Sequence, residues 1–115
     1  IIAITTVTRV VKNVGNDVFK INEKNLVLAA ENYYKVNYTS LPQTIGSQVM
    51  VTIDELVTNN FSKRVKNPDD KNELCDGYVV ITKESENNFD YEPYLKCGNT
   101  YITSGYVQGG PILVP

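Results

Sequence analysis

No proline occurs between Ile1 and Tyr38, and in that stretch Val7, Val11, Val14, Val18, Ile21, Leu28 and Val36 recur close to the helical period. Polar residues Arg9, Lys12, Asn16, Lys20, Glu23 and Lys24 take most of the other positions, as in an amphipathic helix laid over a core. Residues 26–31 are rich in strong helix formers. β-Branched side chains crowd residues 1–11, so a strand is the competing reading there. Gly15 weakens the pattern by up to about 1 kcal/mol relative to Ala and marks a bend.

A helix over residues 1–38 would extend about 57 Å, against roughly 26 Å for the diameter of a globular domain of this length. The domain cannot cover the helix's first half. Residues before Asn16 are therefore expected to pack against other copies or a bilayer, and those after it to line the core. The expected packing residues are Ile1, Ile4, Val7, Val10, Val11, Val14 and Val18. The opening Ile1, Ile2, Ala3 and Ile4 reads as the tail end of a longer apolar helix. With 115 residues the chain is one domain, divided into a helical stem at 1–38 and a head at 39–115.

Thr39, Ser40, Leu41, Pro42 and Gly46 stop the helix and form a loop. Thr52 with Glu55 three residues on is a capping-box pattern, which predicts a short helix over 53–59 with Ile53, Leu56 and Val57 facing inward. Asn67, Pro68, Asp69 and Asp70 form a turn, after which strands are predicted at 77–83, 90–97 and 100–107. Pro93 cannot donate to a ladder, so the second of these strands has an unpaired position or a bulge there. The fold class is α+β, a long N-terminal helix packed on a small antiparallel sheet.

Cys75 and Cys97 lack metal-type or CxxC spacing. A disulfide is the simplest reading, and two reduced core thiols are the alternative. If the first two strands pair as a hairpin centred on Glu86, residues whose numbers sum to 172 face each other, and the two cysteines meet that condition.

Eleven basic and thirteen acidic side chains leave a net charge of -2, so nucleic acid is not indicated as a partner. The chain has no histidine, and no spacing singles out a nucleophile with its base; an enzyme is not expected, nor a cofactor. Asp69, Asp70, Glu73 and Asp76 gather around the turn as calcium candidates, with a solvated acidic loop as the plainer reading. Tyr78, Tyr91, Tyr94, Tyr101 and Tyr106 fall where strand residues pack across to their neighbours, and a ligand-binding sheet is the alternative use.

The ordered set NLVLAAENYY at 25–34, Leu41-Pro42, IDELV at 53–57, Asn67-Pro68, CDGYVVI at 75–81, YLKCG at 94–98 and YITSGY at 101–106 resembles type IV pilin-like proteins of Gram-positive bacteria. That resemblance, which covers nearly the whole chain, implies a helical stem, a head with a small antiparallel sheet, and a pilin or type II secretion pseudopilin filament built through the stems. It also implies other pilins and assembly machinery as partners, insertion in the cytoplasmic membrane through an upstream part of the helix, and an extracellular, cell-surface destination. The family's processing signature, Gly followed by an aromatic or Met and then Thr-Leu-Ile-Glu, does not occur here, so the chain is expected to begin inside the stem. A minor pilin or adhesin-like module using the tyrosine-rich sheet and the 108–115 tail is the alternative function.

Overall fold

The computed structural model describes residues 16–115. Of the expected packing residues, Ile1, Ile4, Val7, Val10, Val11 and Val14 lie outside the described residues, as does the first half of the predicted stem. Helix α1, Asn16–Val36, buries Phe19, Leu26, Ala29, Ala30 and Tyr34 against the sheet. Ala29 and Ala30 let the backbone approach closely, and aromatic rings fill the wider ends. Phe19 stacks on Tyr101 with ring centroids 5.6 Å apart, and Tyr34 meets Tyr91 edge-on at 6.5 Å. The helix ends two residues short of the predicted Tyr38, where a single 3-10 turn, Tyr38–Ser40, follows.

The main sheet is antiparallel, in the order β1 (Gln48–Thr52), β4 (Asp76–Ser85), β5 (Asn88–Cys97) and β6 (Tyr101–Ile102). Its centre is the hairpin of β4, Asp76–Ser85, and β5, Asn88–Cys97. From Asp76↔Lys96 to Lys83↔Phe89 every pair sums to 172, the register expected from the sequence. One rung further out, Cys75 and Cys97 form a disulfide. The ladder passes through Val79↔Pro93 without a bulge. Leu95 bonds Thr103 through both its backbone groups, and Pro93, two residues back, points to the same edge beyond the end of β6. The missing N–H of Pro93 thus falls at an unpaired position.

Strand β1, Gln48–Thr52, pairs with β4 from Gln48↔Thr82 to Thr52↔Tyr78. The sequence reading left these residues without a strand. Thr52 closes β1 and also caps α2, Ile53–Thr58: its hydroxyl accepts from Glu55 N–H at 3.1 Å while its own N–H donates to the Glu55 carboxylate at 3.0 Å. Ile53 and Leu56 are buried as expected. A two-stranded ribbon, β2 at Lys66–Asn67 and β3 at Asp70–Leu74, brackets the Pro68 turn. Buried Asn67 donates its amide to Glu73 Oε1 (2.7 Å) and to the Cys97 carbonyl (3.2 Å), tying the ribbon to the disulfide.

The third predicted strand, 100–107, is corrected to a two-residue strand β6, Tyr101–Ile102. After Ile102 the Thr103 hydroxyl accepts from Leu95 N–H and donates to the Glu23 carboxylate on α1, and Gly105 turns the chain away at a φ of 92°. The tail then crosses the sheet face away from α1 and returns to β1, where Gln48 N–H donates to the Val114 carbonyl at 2.8 Å and Val114 N–H donates to Gln48 Oε1 at 3.1 Å.

Candidate functional site

Helix α1 carries two apolar faces. The core uses the face of Phe19, Leu26, Ala30 and Tyr34, whereas Val18, Ile21, Leu28 and Val36 are 51%, 56%, 52% and 67% exposed. At roughly 100° per residue, the outer face centres about 150° from the inner one. This corrects the expectation that the valine-containing stripe lines the core after Asn16: in the described part of the helix, four of its members point outward. Val18, expected as a packing residue, is on that outer face.

Beside it, α1 and residues 62–71 enclose an open groove of about 660 Å³. Val18, Asn22, Asn25 and Leu26 form one wall, and Lys63, Arg64, Lys66 and Lys71 stand among the lining residues of the other. Arg64 is held in an ion pair with Asp54. The sequence reading did not anticipate this groove, because its two walls lie some forty residues apart in the chain.

The tyrosines divide between the sheet's two faces. Tyr91 and Tyr101 pack beneath α1, where Tyr34 of the helix meets Tyr91. On the other face Tyr78 is buried between Tyr94, stacked at 5.2 Å, and Tyr106 at 5.5 Å, and its hydroxyl accepts from Val107 N–H at 3.0 Å. Burial raises the ionisation of Tyr94 above the ordinary phenol value, with the nearby carboxylates Glu92 and Asp90 adding to the rise. Burial and then Asp76 do the same for Tyr106. Beside this stack lies a cleft of about 180 Å³ whose lining includes Met50, Thr52, Asp54, Asp76, Tyr106 and Gln108.

The acidic candidates have separate partners. Asp69 accepts from the Tyr101 hydroxyl at 3.0 Å, Asp70 from Asn72 N–H at 3.0 Å and Glu73 from the Asn67 amide at 2.7 Å, while Asp76 lines the tyrosine cleft. Among the described residues no three His, Cys, Asp or Glu side chains converge on a position that would hold a metal ion. Nor is any helix among them long and apolar enough to cross a membrane.

Compared with protein-family models, curated proteins and solved structures, the chain matches none of them.

Proposed function

We propose that this chain is a structural, non-enzymatic subunit of an extracellular type IV pilus or pseudopilus filament, assembled through its N-terminal helix. The observation that carries the reading is the second apolar face of α1. Val18, Ile21, Leu28 and Val36 are large side chains on a regular helix that the head leaves uncovered. Apolar area of this kind is stabilised by covering it with another surface, at about 25 cal/mol per Å² removed from water. In the sequence, Val14, Val11 and Val7 continue the same spacing upstream. The buried disulfide fits an oxidising, extracytoplasmic setting. The resemblance to pilin-like proteins agrees with both, with other pilins, assembly machinery and a cytoplasmic membrane before assembly as the implied partners.

Filament growth by the full-length protein and by its Ile21→Asp, Leu28→Asp double variant, followed by electron microscopy and light scattering, tests this. Filaments from the parent and none from a variant with unchanged circular dichroism are expected. A double variant that assembles as the parent does, or a parent that stays monomeric at every concentration, overturns the reading.

A minor pilin or adhesin-like module is the second reading, favoured by the cleft beside Tyr78 and Tyr106 with Asp54 and Asp76 on its rim. Aromatic faces with nearby carboxylates suit sugar rings and their hydroxyls. NMR shifts from a glycan panel that cluster on Tyr94, Tyr106 and Gln108 would favour it over the first.

A further inference from the structure

Charge is segregated to the two ends of the β4–β5 hairpin. Around its tip, residues 84–92 carry four carboxylates, Glu84, Glu86, Asp90 and Glu92, all exposed, and no basic side chain. At the other end lies the groove between α1 and residues 62–71. Asn67 of its lining donates to the Cys97 carbonyl, and the Val65 carbonyl accepts from Cys75 N–H at 2.8 Å. Lys63, Lys66 and Lys71 are exposed along this groove, and no carboxylate is among its lining residues. Arg64 with Asp54 is the one ion pair among the described residues, so neither these lysines nor the tip carboxylates are neutralised within the copy. Ten-residue strands at roughly 3.3 Å per residue set the two ends about 33 Å apart. A tip therefore cannot reach the groove of its own copy.

We infer that the tip of one copy docks in the groove of the next, head to tail, with Glu84, Glu86 and Asp90 set against Lys63, Lys66 and Lys71. The heads alone make this contact, which goes beyond the helix-mediated assembly proposed above. Complementary patches of single sign speed encounter and fix which surfaces meet, because tip against tip or groove against groove brings like charges together. The groove also offers a carboxylate neutral donors, the side chains of Asn22, Asn25 and Ser62.

Helix α1 sets the direction of the row. Phe19 stacks on Tyr101, which pairs with Cys97 at the groove end, and Tyr34 meets Tyr91 nearer the tip, so the helix runs from groove to tip. Copies stacked along that axis keep every helix pointing the same way, and each new head leaves a tip unused for the next. The polarity of the row, though not the matching of charges, rests on the filament reading.

Carbodiimide, which joins a carboxylate directly to an amine, tests the contact in the full-length protein. In a mixture of unlabelled and isotope-labelled protein, peptides holding Glu84, Glu86 or Asp90 should be joined to peptides holding Lys63, Lys66 or Lys71, with mixed-label pairs among them. Raising sodium chloride from about 0.05 to about 0.5 M should lower the yield several-fold, since salt screens exposed charges. Glu84→Lys, Glu86→Lys, Asp90→Lys reverses the tip, and Lys63→Glu, Lys66→Glu, Lys71→Glu reverses the groove. All six positions are exposed, so both variants should keep the parent's circular dichroism. Each alone should lose links by about tenfold or more, and an equimolar mixture of the two should regain them. Absent tip-to-groove links, equal yields in every variant, or a mixture that stays unlinked overturns the proposal, as do linked species that stop at two chains. Lysines shielded by added polyphosphate yet never joined to a tip give the groove to another anion and also overturn it. Filaments that grow without tip-to-groove links remove this contact and leave the helix-mediated reading standing. Linked rows formed equally well by the Ile21→Asp, Leu28→Asp variant keep the contact and remove that reading.

Discussion

Cys75 and Cys97 lie 4.3 Å apart at Cα and are covalently joined, on the rung just beyond the one where Asp76 faces Lys96. The bond therefore closes the open end of the β4–β5 hairpin, and through the Cys97 carbonyl it also anchors the buried amide of Asn67. With a sequence separation of 22, the chain-entropy model assigns the cross-link about 3 kcal/mol. The Cys75→Ala, Cys97→Ala double variant is expected to lose about that much unfolding free energy in urea. Because both sulfurs are buried, reductant should act on the parent only as fast as the chain unfolds.

Gly77 faces Leu95 across the hairpin, and a Cβ added there would stand 2.5 Å from the Tyr94 carbonyl oxygen, 2.9 Å from Leu95 Cδ2 and 3.1 Å from Ile53 Cδ1. The closest of these atoms is backbone, so the strands themselves would have to part. Gly77→Ala should destabilise by about 1 to 3 kcal/mol, as overpacking does, despite adding one methyl group and gaining strand propensity. Urea midpoints of parent and variant measure it.

Tyr34, Tyr91, Tyr94 and Tyr106 ionise later in the folded chain than in the unfolded one, first because burial disfavours the phenolate and then because of neighbouring acidic groups. Between the unfolded value near 10 and the higher folded values, the folded state holds more protons. Stability from these groups is thus fully present below about pH 10 and falls as pH rises through the folded values. Urea unfolding across that range should show the decline. Phenolate absorbance should rise in two stages, the second coinciding with unfolding.

Local signals carried the parts of the fold that the sequence made legible. The Thr52–Glu55 box needs only four residues, and the hairpin register needs only its turn at Glu86 and Asn87, so both could be read without knowing the rest of the chain. Strand β1 depends on a partner some thirty residues away, and five alternating residues carry little signal by themselves. The 100–107 segment has strand-like composition, but Thr103 satisfies the Leu95 N–H with its side chain and Gly105 takes a left-handed turn, which ends β6 early. In α1, helical period identifies apolar stripes without saying which one faces inward. The stripe of Phe19, Leu26 and Tyr34 packs inward because its aromatic rings bury more area and its alanines let the sheet come close. The outer face, and with it the candidate assembly surface, became visible only once the inner one was placed.

Leu26 and Leu28, two residues apart on α1, separate folding from assembly. Leu26 is fully buried among the core side chains, while Leu28 is more than half exposed on the outer face. Leu26→Ala removes buried methyl groups and leaves a cavity, so it should cost about 2 to 5 kcal/mol. Leu28→Ala removes a similar side chain from a surface where water already has access and where Ala favours helix, so the monomer should change by no more than about 0.5 kcal/mol. Self-association should show the reverse order. Leu28→Ala is expected to weaken it, because the deleted group covers apolar area only when a second surface is present, while Leu26→Ala should leave association intact wherever the domain remains folded. Urea unfolding at low concentration and sedimentation at high concentration, run on both variants, measure the two effects independently. A Leu28→Ala chain that unfolds early yet associates as strongly as the parent would assign the outer leucine to the fold and leave the helix face with no role between copies.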